Sequence, residues 1–191
     1  KMRIICCRFG EKFTQWHVDN LKHMIDNFSG LEYDSFEVIE KDLYGNWYNK
    51  LQMYDRFRDG QNLYFDLDMI IFGKLPDLTR NVFTLLDDSY WREPAHTPLN
   101  SSVVSWTGDV SYIWKKFKEK EDYFMKKYYR GSDEFYYREL KYYQTYPKVC
   151  ESIANHIYKK PNNYNLLTLG QYHHIMEKGW KGWYSNFFLD R

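Results

Sequence analysis

Apolar residues run without a break from Ile4 to Cys7, and Arg8-Phe9-Gly10 ends the run. A short apolar stretch closed by a glycine predicts a buried strand over Met2 to Cys7. The period then changes. From Thr14 onward, Val18, Leu21, Ile25 and Phe28 recur at helical spacing, Asp19, Lys22 and Asp26 fall on the other face, and Ser29-Gly30 stops the stretch. Tyr33 to Ile39 reads as a second strand, so the chain opens as strand, helix, strand, the start of a parallel α/β unit. Trp47 to Phe57 has Leu51, Tyr54 and Phe57 at helical spacing before Asp59-Gly60. Asn62 to Phe65 predicts a third strand that runs into Asp66-Leu67-Asp68; Met69 to Phe72 stays apolar until Gly73-Lys74-Leu75-Pro76. Further strands are expected at Val82 to Leu86 and Val103 to Trp106. Helices are expected at Ser111 to Tyr129, the longest, and at Glu134 to Tyr143. From Asn162, Gly170 and the Gly179/Gly182 pair predict loops around one short element. No repeat interrupts this order, which predicts one α/β domain over residues 1–191.

Composition narrows the function classes. The aromatic fraction is 20%, and aromatic rings both fill a small core and stack on bases and sugar faces. Net charge is +1, from 27 basic and 26 acidic residues, which argues against a dedicated nucleic-acid binder. The basic run Lys115 to Lys118, continuing at Lys126 to Arg130, is interrupted by Glu119, Glu121 and Asp122 and reads as a solvated helix face. The three cysteines have neither zinc-ligand spacing nor a disulfide framework, and no apolar run has the length of a signal core or a membrane span. The expectation is a soluble, cytoplasmic chain without a membrane partner.

The chemistry concentrates at Asn62 to Phe72. Asp66 and Asp68, at i and i+2 of a strand end, project to one side while Leu67 turns into the core. Two such carboxylates repel unless a cation lies between them, and oxygen ligands at an open strand end suit Mg²⁺ or Mn²⁺ with sites left for a diphosphate. The bland alternative is an Asp-x-Asp that ends a strand and caps a turn.

Several blocks, in order, resemble glycosyltransferases of the GT-A fold, most closely the retaining, family 8-like group of glycogenin and galactosyltransferases. Cys7-Arg8-Phe9-Gly10-Glu11-Lys12-Phe13 with His17 to Leu21 is similar to the opening strand and helix, and Trp47 to Met53 to a Trp-x-x-Lys-Leu segment. Leu63 to Asp68 with Gly73 to Leu78 is similar to the metal motif and its following turn. Leu99 to Trp106 resembles the strand beside the donor sugar, and Gly131-Ser132-Asp133-Glu134 is similar to the point where the family has an Asp followed by Gln or Glu. The resemblance implies a single GT-A domain with a mostly parallel twisted central sheet flanked by helices. It implies a nucleotide-sugar donor, with UDP as the nucleotide, an unspecified hydroxyl acceptor, and Mn²⁺ or Mg²⁺ on Asp66 and Asp68. Arg8, Phe9 and Phe13 would then lie against the nucleoside, Lys50 near the nucleotide, Asn100 and Ser101 near the sugar, and Asp133 at the reacting centre. In the tail, His173-His174 and Gly179-Trp180-Lys181-Gly182-Trp183 are similar to the family's His, Gly and Lys-Pro-Trp segment, with altered spacing and Gly182 for the proline. That implies His174 as a third metal ligand and Lys181 as a diphosphate contact.

Two rivals stand beside this. Phe65-Asp66-Leu67-Asp68 also resembles the haloacid-dehalogenase phosphatase motif, with Asp66 as nucleophile and Asp87-Asp88 helping to hold Mg²⁺. Against it, the motif lies well inside the chain and Met69 stands where that motif commonly has glycine. A module that binds nucleotide or glycan without catalysis is the other. Without the resemblance, Lys50 would be a surface lysine, Asn100 and Ser101 turn residues, and Asp133 a helix N-cap.

Overall fold

The computed structural model describes residues 1–191. Strand β1 (Met2–Cys7) sends Ile4 and Cys6 into one apolar cluster and Ile5 and Cys7 into another on its opposite face. A strand apolar on both sides is one covered on both sides. Helix α1 (Gln15–Met24) continues as a π-helical turn, Ile25–Ser29, which ends at Gly30 with φ 71°. Glycine meets that left-handed stop without a Cβ clash. Val18, Leu21, Met24 and Ile25 pack into the first cluster.

The chain returns as β2 (Ser35–Ile39), parallel to β1. A 3₁₀ turn over Trp47–Leu51 leads into α2 (Gln52–Arg56), and β3 (Gln61–Phe65) then pairs parallel to the other side of β1. After Asp66-Leu67-Asp68 the chain enters a second sheet as β4 (Met69–Ile71). β5 (Thr84–Asp87) and β6 (Leu99–Thr107) follow, then α3 (Tyr112–Glu119), α4 (Glu121–Lys127) and α5 (Ser132–Glu139). β7 (Gln144–Thr145), β8 (Glu151–Ser152) and β9 (Leu166–Thr168) complete the set. The main sheet has the order β2-β1-β3-β6-β5-β7, and β4-β9-β8 form the small one. Only β6 runs against its sheet, antiparallel to both β3 and β5, while the pairings on either wing are parallel. The expected α/β class holds, with a mixed central sheet.

Three expectations change. The long helix is broken at Lys120 (φ −146°, ψ 47°). Phe117 and Phe124 both reach the ring of Phe135, at 5.7 and 5.1 Å between centroids. In a straight helix the two would stand about 10 Å apart along the axis, so the break serves the packing. The last helix stops at Glu139, because Leu140 is extended and carries the chain to the sheet edge. The tail supplies a strand as well as loops: β9 is the centre of the small sheet. All three cysteines are buried and free, and no helix is long and apolar enough to cross a membrane.

Trp106 is fully buried, its indole N–H donates to the Phe57 carbonyl at 3.2 Å, and its ring packs on Tyr54 at 5.1 Å. Trp106→Ala is expected to cost about 3–5 kcal/mol in urea unfolding. Tyr158→Ala, at a ring 97% exposed, should stay within about 0.5 kcal/mol of wild type.

Candidate active site

The reversed strand builds the site. Because β6 is antiparallel to β3, its N-terminal part, with Asn100 and Ser101, lies beside the carboxyl end of β3, and the Asp66 N–H donates to the Ser102 carbonyl at 2.9 Å. The first turn of α5 brings Asp133 to the same edge: the Ser101 N–H donates to Asp133 Oδ1 at 3.1 Å and the Ser101 hydroxyl donates to the same oxygen. The segment after β9 is tied in by the Leu169 N–H, which donates to the Asp68 carbonyl at 2.9 Å. These elements enclose a cleft of ≈ 700 Å³, within the range of roughly 300–1,000 Å³ usual for small-molecule sites. It opens at the carboxyl ends of β1, β3 and β5, where sheets of this kind receive ligands.

Its floor is electrostatically divided. Asp66 Oδ1 accepts from the Tyr64 hydroxyl at 2.6 Å and from Lys50 Nζ at 3.4 Å. Lys50 is 4% exposed, and it also donates to the Ser101 carbonyl at 3.1 Å and lies 5.1 Å from the Tyr64 ring centroid. Such partners offset the hydration that a buried ammonium loses. No protein group donates to the other Asp66 oxygen, and no side chain donates to the Asp68 carboxylate. Burial first, and the Asp66 charge second, push Asp68 up to about 7, with Lys12 and Lys50 opposing the rise. Burial also raises Asp133, opposed by Lys50 and Ser101. Two half-buried carboxylates with unused oxygens form a donor set that fits a hard divalent cation. No group of three His, Cys, Asp or Glu side chains is gathered closely enough to hold a metal alone, so such an ion would take water and phosphate oxygens as its remaining ligands.

Of the residues singled out in the sequence, Lys50, Asp66, Asp68, Asn100 and Asp133 line the cleft, and Ser101 is buried beneath Asp133. Lys50 is not a surface lysine, and Asp133 does not cap its own helix, since its carboxylate engages β6 instead. Arg8, Phe9 and Phe13 stand a layer back. Arg8 pairs with Glu40 at 3.4 Å, and both rings pack on Trp47, which itself faces the cleft. His174 packs edge-on against Trp180 at 4.8 Å, whereas the adjacent His173 lines the cleft, its buried Nδ1 without a partner. Lys181 is exposed and outside the cleft lining. Asp87 Oδ1 caps the Ser89 N–H at 3.0 Å and the buried Asp88 is bound by Arg92, so this acidic pair is committed elsewhere. Lys12 and Trp47 also line the cleft, beyond the site residues expected from the sequence. The signal was present for both, since Lys12 is in the loop after β1 and Trp47 begins the turn that carries Lys50.

No family model matches the chain, and no curated protein matches it by sequence. Solved structures do. The galactosyltransferase LgtC, in complex with donor and acceptor sugar analogs, matches over 97% of this chain and 93% of its own with a TM-score of 0.66 at 10% identity. A glycosyltransferase involved in the glycosylation of the major capsid of PBCV-1 matches over 87% of this chain and 92% of its own, with a TM-score of 0.64 at 11% identity. The glycosyltransferase GlyE of Streptococcus pneumoniae TIGR4 matches over 77% of this chain, with a TM-score of 0.53 at 14% identity. The match spans 46%, about half, of GlyE's own length. The chain has the fold of these glycosyltransferases.

Proposed function

We propose that the protein is a metal-dependent glycosyltransferase that moves a sugar from a nucleotide-sugar donor, a UDP-sugar, to a hydroxyl acceptor. The observation that carries this is the Asp66/Asp68 pair at the end of β3, on the floor of a cleft that also holds Lys50, Asn100 and Asp133. The fold shared with glycosyltransferases supports it.

Bound by Asp66 and Asp68, Mn²⁺ or Mg²⁺ would supply Lewis-acid stabilisation of the departing diphosphate. The chain's own groups do the positioning. Tyr64 and Lys50 fix one oxygen of Asp66, leaving the other free. Trp47 offers an aromatic wall beside the loop after β1, suited to stacking on a nucleobase. Asn100, its Oδ1 accepting from the Ser102 N–H at 2.9 Å, lines the cleft where the sugar would lie, and Ser101 holds Asp133, which would stand at the reacting centre. The phosphatase alternative is weakened by the commitment of Asp88 to Arg92.

Thermal melting with nucleoside diphosphates and nucleotide sugars, each with Mn²⁺ and with EDTA, tests the reading without knowledge of the acceptor. A Mn²⁺-dependent rise is expected with UDP, lost in Asp68→Ala while the ligand-free melting temperature is retained. No rise with any nucleotide, alongside phosphatase activity in Mg²⁺, would favour the phosphatase. Binding without transfer or donor hydrolysis would favour the non-catalytic module. Metal-free stability should also report the carboxylate pair. The folded protein holds the Asp68 proton up to about 7, whereas an ordinary carboxyl of this type releases it at 3.8. The folded state therefore binds the extra proton between these values, so stability falls as pH rises through that window and levels off above it. Asp68→Asn should flatten urea-unfolding stability across the window, and parallel curves for the two proteins would contradict the assignment.

A further inference from the structure

The cleft is lined by four lysine and arginine side chains, Lys12, Lys50, Arg92 and Arg130, and they are not equally free. Lys50 is held by Asp66 and the Ser101 carbonyl. Arg92 is bound to the buried Asp88. Arg130, in the turn after α4, also lacks a carboxylate partner, but it lies 4.6 Å over the ring of Tyr129, which is itself exposed to solvent, whereas Lys12 stands on a ring that faces the cleft. Lys12 has no carboxylate partner. Its ammonium stands over the rings of Phe13 at 5.2 Å and Trp47 at 5.4 Å, which orient the charge without neutralising it.

Charge balance gives this freedom a use. Asp66, Asp68 and Asp133 bring three negative charges to the floor, against which stand Lys50 and, when bound, a divalent ion. These cancel before any donor enters. The diphosphate of a nucleotide sugar adds negative charge, and the departing nucleoside diphosphate adds more. A further cation beside the carboxylate pair is needed, and Lys181 lies outside the cleft lining.

We infer that Lys12 binds the diphosphate of the donor, in the role that the sequence resemblance implied for Lys181. This rests on the proposed donor site and names the residue that completes it. A second consequence is that the Trp47 wall and the Lys12 ammonium act as one unit, ring toward the nucleoside and charge toward the phosphates.

The test compares wild type, Lys12→Met and Lys181→Met by calorimetric titration with UDP, GDP, ADP or CDP in Mn²⁺, and with the matching nucleoside. Lys12 is exposed, so its replacement should leave the ligand-free melting temperature unchanged. Lys12→Met is expected to weaken the diphosphate by about tenfold, as for loss of one charged hydrogen bond, to leave the nucleoside unaffected, and Lys181→Met to match wild type. If wild type binds a nucleoside diphosphate and Lys12→Met binds it equally, or loses nucleoside in proportion, the inference fails and the donor site stands. If wild type binds none of the four with Mn²⁺, the glycosyltransferase reading fails and takes the inference with it.

Discussion

The burial of Leu67 is the constraint on which the site depends. The chain leaves the main sheet at Phe65 and enters the small sheet at Met69, with only Asp66, Leu67 and Asp68 between. Leu67 is 2% exposed and belongs to the same apolar cluster as Leu63, Phe65 and Met69. Burying such a side chain is worth about 1.5–3 kcal/mol, and with Leu67 turned inward at the bend between β3 and β4, Asp66 and Asp68 on either side of it are left half-buried at the cleft. Apolar packing thus forces two like charges together at the cleft floor. Burial first, and the neighbouring Asp66 charge second, raise Asp68, while Tyr64 and Lys50 are recruited to Asp66.

The remaining elements serve that junction. Reversal of β6 puts polar Asn100 and Ser101, rather than a strand's carboxyl end, beside Asp66. Ser101 in turn fixes Asp133 from α5, so one buried hydroxyl links the strand to the helix that closes the cleft. On the other side, the Asp68 carbonyl holds the segment after β9, which makes the tail part of the site wall. The aromatic excess is chiefly structural: Tyr54, Phe83, Trp106 and Tyr136 form one buried group, and of the rings near the first loop Trp47 faces the cleft.

Much of this was legible in the sequence where a local rule governs. β1, α1 and β3 follow directly from apolar periodicity, and the Asp-x-Asp was recognisable because a strand precedes it. The break at Lys120 was not, since it arises from two rings converging on Phe135, a contact distant in sequence. β9 was hidden because three apolar residues among tail loops carry no period, and they become a strand only by pairing with β4 and β8. The placement of His173 rather than His174 toward the cleft is decided by the turn of a 3₁₀ segment, where adjacent residues point in different directions. Lys12 and Trp47 were visible as residues, but their convergence on one wall is a tertiary fact.

In the proposed reaction Asp66 and Asp68 together hold a divalent ion against the diphosphate of a nucleotide. Diffraction at the manganese absorption edge, from crystals soaked with Mn²⁺ and UDP, tests it most directly. One anomalous peak is expected between the two carboxylates, with both phosphates of UDP against it. A nucleotide bound elsewhere, or a manganese peak that contacts neither aspartate, would contradict it.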